Sequence, residues 1–517
     1  MISHVASAAP HGVQAVPICV EVDVRKGALK VSIVGLPDAA TRESKDRLIP
    51  AINNSGFALH NNEIVINLSP ADLRKEGTAY DLPMAVGILV AMGVIPSDAV
   101  ACCWFVGELA LDGRLRPLRS VLSVGECARQ RGGRRLFVPI GNGPEAALIR
   151  ELDVLEVEDL PSLVRFLRGR DTIKPSVAAA PAPNQQSACL DLADVKGQTL
   201  AKRALEIAAA GAHNLLFYGP PGSGKSMLSK RVPSILPPMS ETEMLEVTRI
   251  HGSSKEEGFQ GALLRRPFRA PHHTASPPAV IGGGPKAKAG EVTLAHRGVL
   301  FLDELPEFPR PVLETLRQPL EDGIVTISRA AHRMTYPADF MLVAAMNACP
   351  CGWKGDPRRR CVCTPDKVKT YRHRLSGPLM DRIDLQIEVQ SLPIREIRRL
   401  PPSESSKVIR KRVVAARRRQ MKRFGCATTT NGNMSPAELC RFCRVPVAVA
   451  EMLEQRLEAL GFTTRGYAKV LRVARTIADL GGFDDIQHEH LLEAIAYRRF
   501  DCEQDVFSLQ GSSPAVG

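Results

Sequence analysis

Apolar and polar positions alternate with a period of two over residues 20–34, the pattern of an exposed strand pair. Residues 45–55 read as a helix, 63–68 as a strand, and 82–93 as an apolar, buried helix. A hairpin is predicted at 107–115 and a further strand at 136–139. Short strands and helices in mixed order predict an α+β domain over 1–170. Residues 171–190 lack any apolar period and are rich in Ala, Pro and polar residues, which predicts a linker. Beyond it, 201–210 predict a helix, and the apolar runs 215–218, 299–302 and 340–345 predict short buried strands. A helix follows at 406–424, then several more over 435–505, with cap signals at Ser435 and 481–485. The resulting domains are 1–170, 191–395 and 396–505, and the tail 506–517 is expected to be disordered.

Composition narrows the class. A chain of 517 residues with 44% hydrophobic content suits a soluble protein of several domains. Its net charge of +13 points to an anionic partner, nucleic acid first, or to a solvated basic surface. No apolar run approaches the roughly 20 residues of a membrane span, and no export signal opens the chain. The odd count of 13 cysteines, mostly scattered, fits reduced thiols, so a cytoplasmic location is expected.

The chemistry centres on Gly219-Pro220-Pro221-Gly222-Ser223-Gly224-Lys225-Ser226, between an apolar strand and a helix start. That context makes it a phosphate-binding loop: glycines let the backbone wrap phosphate oxygens, and the helix N-terminus aims positive dipoles at them. Lys225 would reach the β- and γ-phosphates of ATP, and Ser226 would hold Mg²⁺. At the end of the 299–302 run, Asp303 would bind the Mg²⁺ through its water shell, and Glu304 would polarise the attacking water. Asn347, after the third run, can position that water. Together these residues argue for hydrolysis beyond binding.

Cys349-Pro350-Cys351 and Cys361-Val362-Cys363 bracket a turn-rich loop. The four thiols form either a structural tetrahedral Zn²⁺ site or a set of reduced, unligated cysteines. Basic runs at 358–360, 410–412, 417–419 and 422–423 either neutralise DNA phosphates or form a solvated face. No base-reading finger or helix-turn-helix pattern stands out.

Residues 75–79, 107–117 and 119–122 resemble the proteolytic domain of the Lon proteases. On that alignment the nucleophile position holds Ala79 and the lysine position Leu122, so a Ser–Lys dyad is missing and peptidase chemistry is not expected. The order of parts from Asp194 to Asn347 resembles AAA+ ATPases. Arg266 to Ser276, Gly282-Gly283-Gly284, Gly290-Glu291, Leu294 to Gly298, Ser376 to Asp384 and Ala474 to Leu480 then resemble the magnesium-chelatase-like AAA+ proteins, and within them the ComM (YifB) family. Ala289 departs from the proline usual there. The resemblance implies an α/β fold: an AAA+ P-loop core with a helical lid, preceded by an α+β Lon-protease-like (ribosomal S5 domain 2-like) domain.

It also implies Arg382 as an arginine finger acting in trans, Arg465 as a nucleotide-sensing lid arginine, and assembly as a ring, a hexamer. Residues 319–325 with Ser328-Arg329 would line the pore, while His272 and His273 either touch substrate there or pack on the core. The implied activity is branch-migration helicase action on single-stranded and branched DNA during natural transformation, without a membrane. The rivals are a MoxR-like protein-remodelling chaperone, a metal-chelatase motor subunit, and an ATP-dependent protease.

Overall fold

The computed structural model describes residues 2–59, 61–178, 190–254, 262–284, 288–328, 333–356, 358–445, 449, 451 and 463–498. Most of the expected linker, Arg329 and the expected disordered tail lie outside the described residues. The chain divides into two units, residues 1–185 with 244–263, and residues 186–243 with 264–517.

In the first unit, period-two strands build a seven-stranded mixed sheet. Its order is Lys30–Val34, Asn62–Ser69, Gln14–Lys26, Ile2–His11, Cys103–Phe105, Arg135–Pro139 and Asp153–Val157. The strand pair expected at 20–34 is corrected. Gln14–Lys26 and Lys30–Val34 do not pair with each other but flank Asn62–Ser69, antiparallel on one side and parallel on the other. Alternation identifies a strand and its buried face, here Ile18, Val20 and Val22, but not its neighbour. Ile2–His11, a partner of Gln14–Lys26 along its whole length, was not legible because its Ala- and Ser-rich sequence lacks β-branched enrichment.

The apolar stretch near 82–93 is the helix Asp81–Ala91, every residue of which is buried. Glu108–Leu109 and Leu115–Arg116 pair as a short hairpin. Ala79 gives its carbonyl to the Gly107 amide at 3.0 Å. Leu122 packs among Trp104, Val106, Leu136 and Val154, so an isobutyl group fills that position. The expected linker starts later than 171, because the Ser176 amide donates to Val154 O at 2.8 Å and Ile173 packs on the core.

The second unit is built on five parallel strands. Their order is Phe268–Arg269, Val299–Leu302, Met341–Met346, Leu215–Tyr218 and Leu385–Glu388, so the first strand in the chain lies between the fourth and the fifth. Val299–Leu302, Met341–Met346 and Leu215–Tyr218 are buried at every position, which is why they read as solid apolar runs. Helices Thr199–Gly211, Ser406–Phe424, Thr464–Gly481 and His488–Ala496 bury Leu205, Val413, Val470, Ile477 and Leu491 in one cluster with Phe217, Val343 and Ile387. A polar link runs through that packing. Lys469 Nζ lies 2.5 Å from Asp384 Oδ1, Asp384 Oδ2 accepts the Asn214 amide at 2.9 Å, and His213 Nε2 meets Thr476 Oγ1 at 2.7 Å.

Candidate nucleotide site

The carboxyl ends of three adjacent strands, Leu215–Tyr218, Met341–Met346 and Val299–Leu302, converge on the Gly219–Ser226 loop, the place where open parallel sheets bind ligands. Gly219 leaves its strand against Val389, where an added Cβ would sit 2.3 Å from the Val389 carbonyl oxygen. Gly224, at φ +99°, caps the helix Lys225–Ser229 in a conformation that favours glycine.

Lys225 is buried, and its ammonium donates to Gly219 O and Pro220 O, both at 2.8 Å, and to Asn347 Oδ1 at 3.2 Å. Burial lowers this amine to about 8, an effect that nearby Asp303 partly offsets. Ser226 Oγ donates to Asp303 Oδ2 at 2.7 Å. Ser223 Oγ is buried in the loop without a hydrogen-bond partner. Glu304 follows Asp303 at φ +53°, unusual for a residue with a side chain, and its carboxylate lies 3.3 Å from His273 Nδ1. The ring of His273 lies against that of His272, with centroids 4.1 Å apart and planes tilted by 34°.

The structure thus brings Lys225, Ser226, Asp303 and Asn347 into direct hydrogen-bonded contact, with Glu304 adjoining. Arg382 and Arg465 make no hydrogen bond to these residues. Arg382 instead donates to Pro378 O at 2.7 Å and pairs with Glu321, and Arg465 is exposed on the first turn of Thr464–Gly481. Three supporting contacts were not legible in the sequence. They are the His273–Glu304 pair, the Asn347 amide bonded to the Tyr371 hydroxyl, and Gln198 bridging Ser223 O at 3.2 Å to Gln390 O at 2.7 Å. Each joins residues distant in the chain, so no local motif announces it.

Next to Asn347 the four cysteines converge. Cys349 Sγ lies 3.4 Å from Cys351 Sγ and 3.6 Å from Cys361 Sγ, and all four sulfurs, Cys363 included, fall within 4.8 Å of one another. The Lys354 amide donates to Cys349 Sγ at 3.4 Å. The Trp353 amide, with help from that of Val362, lowers the Cys351 thiol to about 6, whereas burial pushes Cys349 up to about 12.

The basic runs separate into two groups. Arg412 is held by Glu206 at 2.5 Å and by Glu404 at 2.6 Å, Arg417 donates to Ala209 O at 3.3 Å, and Arg423 pairs with Asp479. Those arginines build the fold. Lys407, Arg410, Lys411, Arg418 and Lys422 are exposed along one face of Ser406–Phe424.

Residues 20–142, 191–397 and 403–498 match, in turn, families described as subunit ChlI of Mg-chelatase, magnesium chelatase subunit ChlI, and its C-terminal region. The chain is 43% identical to the uncharacterized protein YifB of Escherichia coli (strain K12) over 505 residues, 97% of each chain. It is 42% identical to the competence protein ComM of Haemophilus influenzae over 502 residues, 96% of this chain and 97% of that one. The chain belongs to the ComM/YifB family of magnesium-chelatase-like AAA+ proteins. Membership of the ComM/YifB family makes the chain an ATPase in general terms, with ATP and Mg²⁺ as its cofactors. A weaker and partial likeness, 25% identity over 230 residues, relates 39% of the chain to Lon protease 2 of Bacillus subtilis. Among the described residues no helix is long and apolar enough to cross a membrane.

Proposed function

We propose that this chain is an ATP-driven, ring-shaped DNA motor, a hexamer acting as a branch-migration helicase on recombination intermediates in the cytoplasm. The observation that carries the hydrolytic half is the hydrogen-bonded set Lys225, Ser226, Asp303 and Asn347 at the carboxyl end of a parallel sheet. The loop fits a triphosphate. Its buried Ser223 hydroxyl lacks a partner, and the Lys225 ammonium can exchange two loop carbonyls for phosphate oxygens.

Gly219 to Ser226 would cradle the phosphates, and Ser226 with Asp303 would hold Mg²⁺, which would supply positive charge to the triphosphate. Glu304 accepts a proton from the attacking water, and Asn347 orients that water. Arg382 reaches a neighbouring subunit's γ-phosphate once ring contacts displace Glu321, and Arg465 reports nucleotide to the lid. The first unit takes the Lon-like (ribosomal S5 domain 2-like) fold without its dyad. Support for DNA comes from the net charge of +13, the competence protein among the relatives, and the free basic face of Ser406–Phe424.

The test is the ATPase rate with and without single-stranded and branched DNA at low and high salt, for wild type, Glu304→Gln and Arg382→Ala. Stimulation by DNA that fades with salt and is lost in both variants supports a DNA motor. A robust, DNA-indifferent rate sinks the helicase reading and leaves protein remodelling in its place.

A further inference from the structure

We propose that Cys349, Cys351, Cys361 and Cys363 bind a thiophilic divalent cation, zinc first, and that this site braces the phosphate loop. Four thiolates around Zn²⁺ at about 2.3 Å place neighbouring sulfurs about 3.8 Å apart. The sulfurs of Cys349, Cys351 and Cys361 are 3.4–3.6 Å apart, within reach of that arrangement. Amide donors already point at them, from Lys354 to Cys349 and from Trp353 and Val362 to Cys351, the kind of support that orients metal ligands.

Few side-chain contacts hold the described part of the loop: Val362 is 84% exposed, Arg359 lies over the Trp353 ring at 4.4 Å, and half-exposed Arg358 pairs with the buried Asp356 at 2.9 Å. A loop without an apolar cluster of its own is where a metal contributes most to order. Four protein sulfurs leave no open position, so the site is structural.

Its consequence follows from where the loop sits. Cys349 comes two residues after Asn347, whose side chain meets Lys225 at 3.2 Å. Gly352, at φ +84° in the turn after Cys351, packs so close to the phosphate loop that an added Cβ would lie 2.9 Å from Pro221 Cδ and 4.0 Å from Asn347 Cγ. The metal therefore fixes the surface on which Pro221 rests and the strand exit from which Asn347 reaches Lys225. Loss of the metal frees both and weakens nucleotide binding. This coupling rests on the reading of Gly219–Ser226 as the phosphate loop.

The experiment uses the full-length chain. Zinc is counted by elemental analysis, thiol coordination is read from the absorption of the cobalt-substituted protein, and affinity is measured with a fluorescent ADP analogue. Two variants are compared with wild type: Cys361→Ser/Cys363→Ser, and Gly352→Ala, which keeps all four ligands. Expected are one zinc per chain in wild type and Gly352→Ala, none in the double variant, and ADP binding weakened about tenfold in both, the worth of one hydrogen bond to a charged group. Helical content by circular dichroism should be unchanged in each. Absence of zinc, or cysteines joined as disulfides, overturns the metal site. Zinc present but ADP affinity unchanged in both variants overturns the coupling. A zinc-loaded wild type that binds no ADP overturns the phosphate-loop reading and the coupling with it.

Discussion

His273 Nδ1 lies 3.3 Å from Glu304 Oε2, which ties the loop after the edge strand Phe268–Arg269 to the carboxylate at the end of the neighbouring strand Val299–Leu302. Phe308 meets the His273 ring edge-on at 6.5 Å, and the tilted His272 ring lies 4.1 Å away, so two rings contact the imidazole. A carboxylate engaged by imidazole must break that contact before it can turn toward an attacking water. Partly exposed pairs of this kind contribute about 0.2–1 kcal/mol, so His273→Ala should raise the basal ATPase rate about two- to fivefold. Glu304→Gln, which removes the base itself, should lower it by about 10²–10⁴ while ADP binding persists. Steady-state phosphate release measures both, and an unchanged His273→Ala rate would count against restraint of Glu304.

Lys225 gives the site a pH dependence with a defined sign. Burial lowers its amine to about 8 in the folded protein, whereas phosphate beside it favours the charged form. Nucleotide binding then takes up a proton above that value. ADP affinity should be flat below about pH 8 and fall by up to about tenfold per unit above it. Lys225→Arg, permanently charged, should bind more weakly than wild type at pH 7 but with no such fall. Titration calorimetry in buffers of different ionisation enthalpy would show the proton directly.

How far the sequence carried this picture depends on the range of the interaction. Leu215–Tyr218 and Val299–Leu302 read as buried strands because burial on both faces leaves an unbroken apolar run, and Gly219–Ser226 read as a phosphate loop because its chemistry is contiguous. Sheet order was not legible: Asn62–Ser69 inserts between two strands that alternate as though paired. Among charges, Arg412 and Lys411 are adjacent and look alike in the sequence, yet Arg412 is committed to Glu206 and Glu404 while Lys411 faces solvent. Helical phase, and the Glu206 carboxylate brought close by Thr199–Gly211, separate the two.

That separation predicts two different phenotypes on one helix. Reversing Lys411, Arg418 and Lys422 to Glu should leave the melting temperature within a degree or two but weaken DNA binding and flatten its salt dependence, since each lost phosphate contact lowers the log–log slope on a single strand by about 0.7. Arg412→Ala should instead lower thermal stability, because the buried Glu206 loses a 2.5 Å partner. Fluorescence anisotropy with labelled single-stranded DNA at several salt concentrations, beside a thermal melt, separates them. Equal loss of DNA affinity in both variants would sink the assignment.

Asp384 is the sharpest test of how the helices are fastened to the sheet. Burial alone would push its carboxyl up, but Lys469 and His213 hold it well below the usual carboxylate range. A group whose folded value is depressed contributes stability that is fully present above its unfolded value, near 4, and is lost progressively as pH falls from there toward the depressed folded value. Asp384→Asn keeps the shape but leaves the buried Lys469 ammonium without its anion, and breaking a buried pair in this way costs about 3–5 kcal/mol. The variant should therefore unfold at lower temperature at pH 7, and the gap to wild type should narrow as both are taken below about pH 4, where wild type loses the same interaction. Lys469→Met in the Asp384→Asn background should recover part of the loss by removing the stranded charge. If the single variant melts with wild type at pH 7, the pair does not fasten Thr464–Gly481 to the strand Leu385–Glu388, and the apolar cluster around Val470 and Ile477 holds the helix alone.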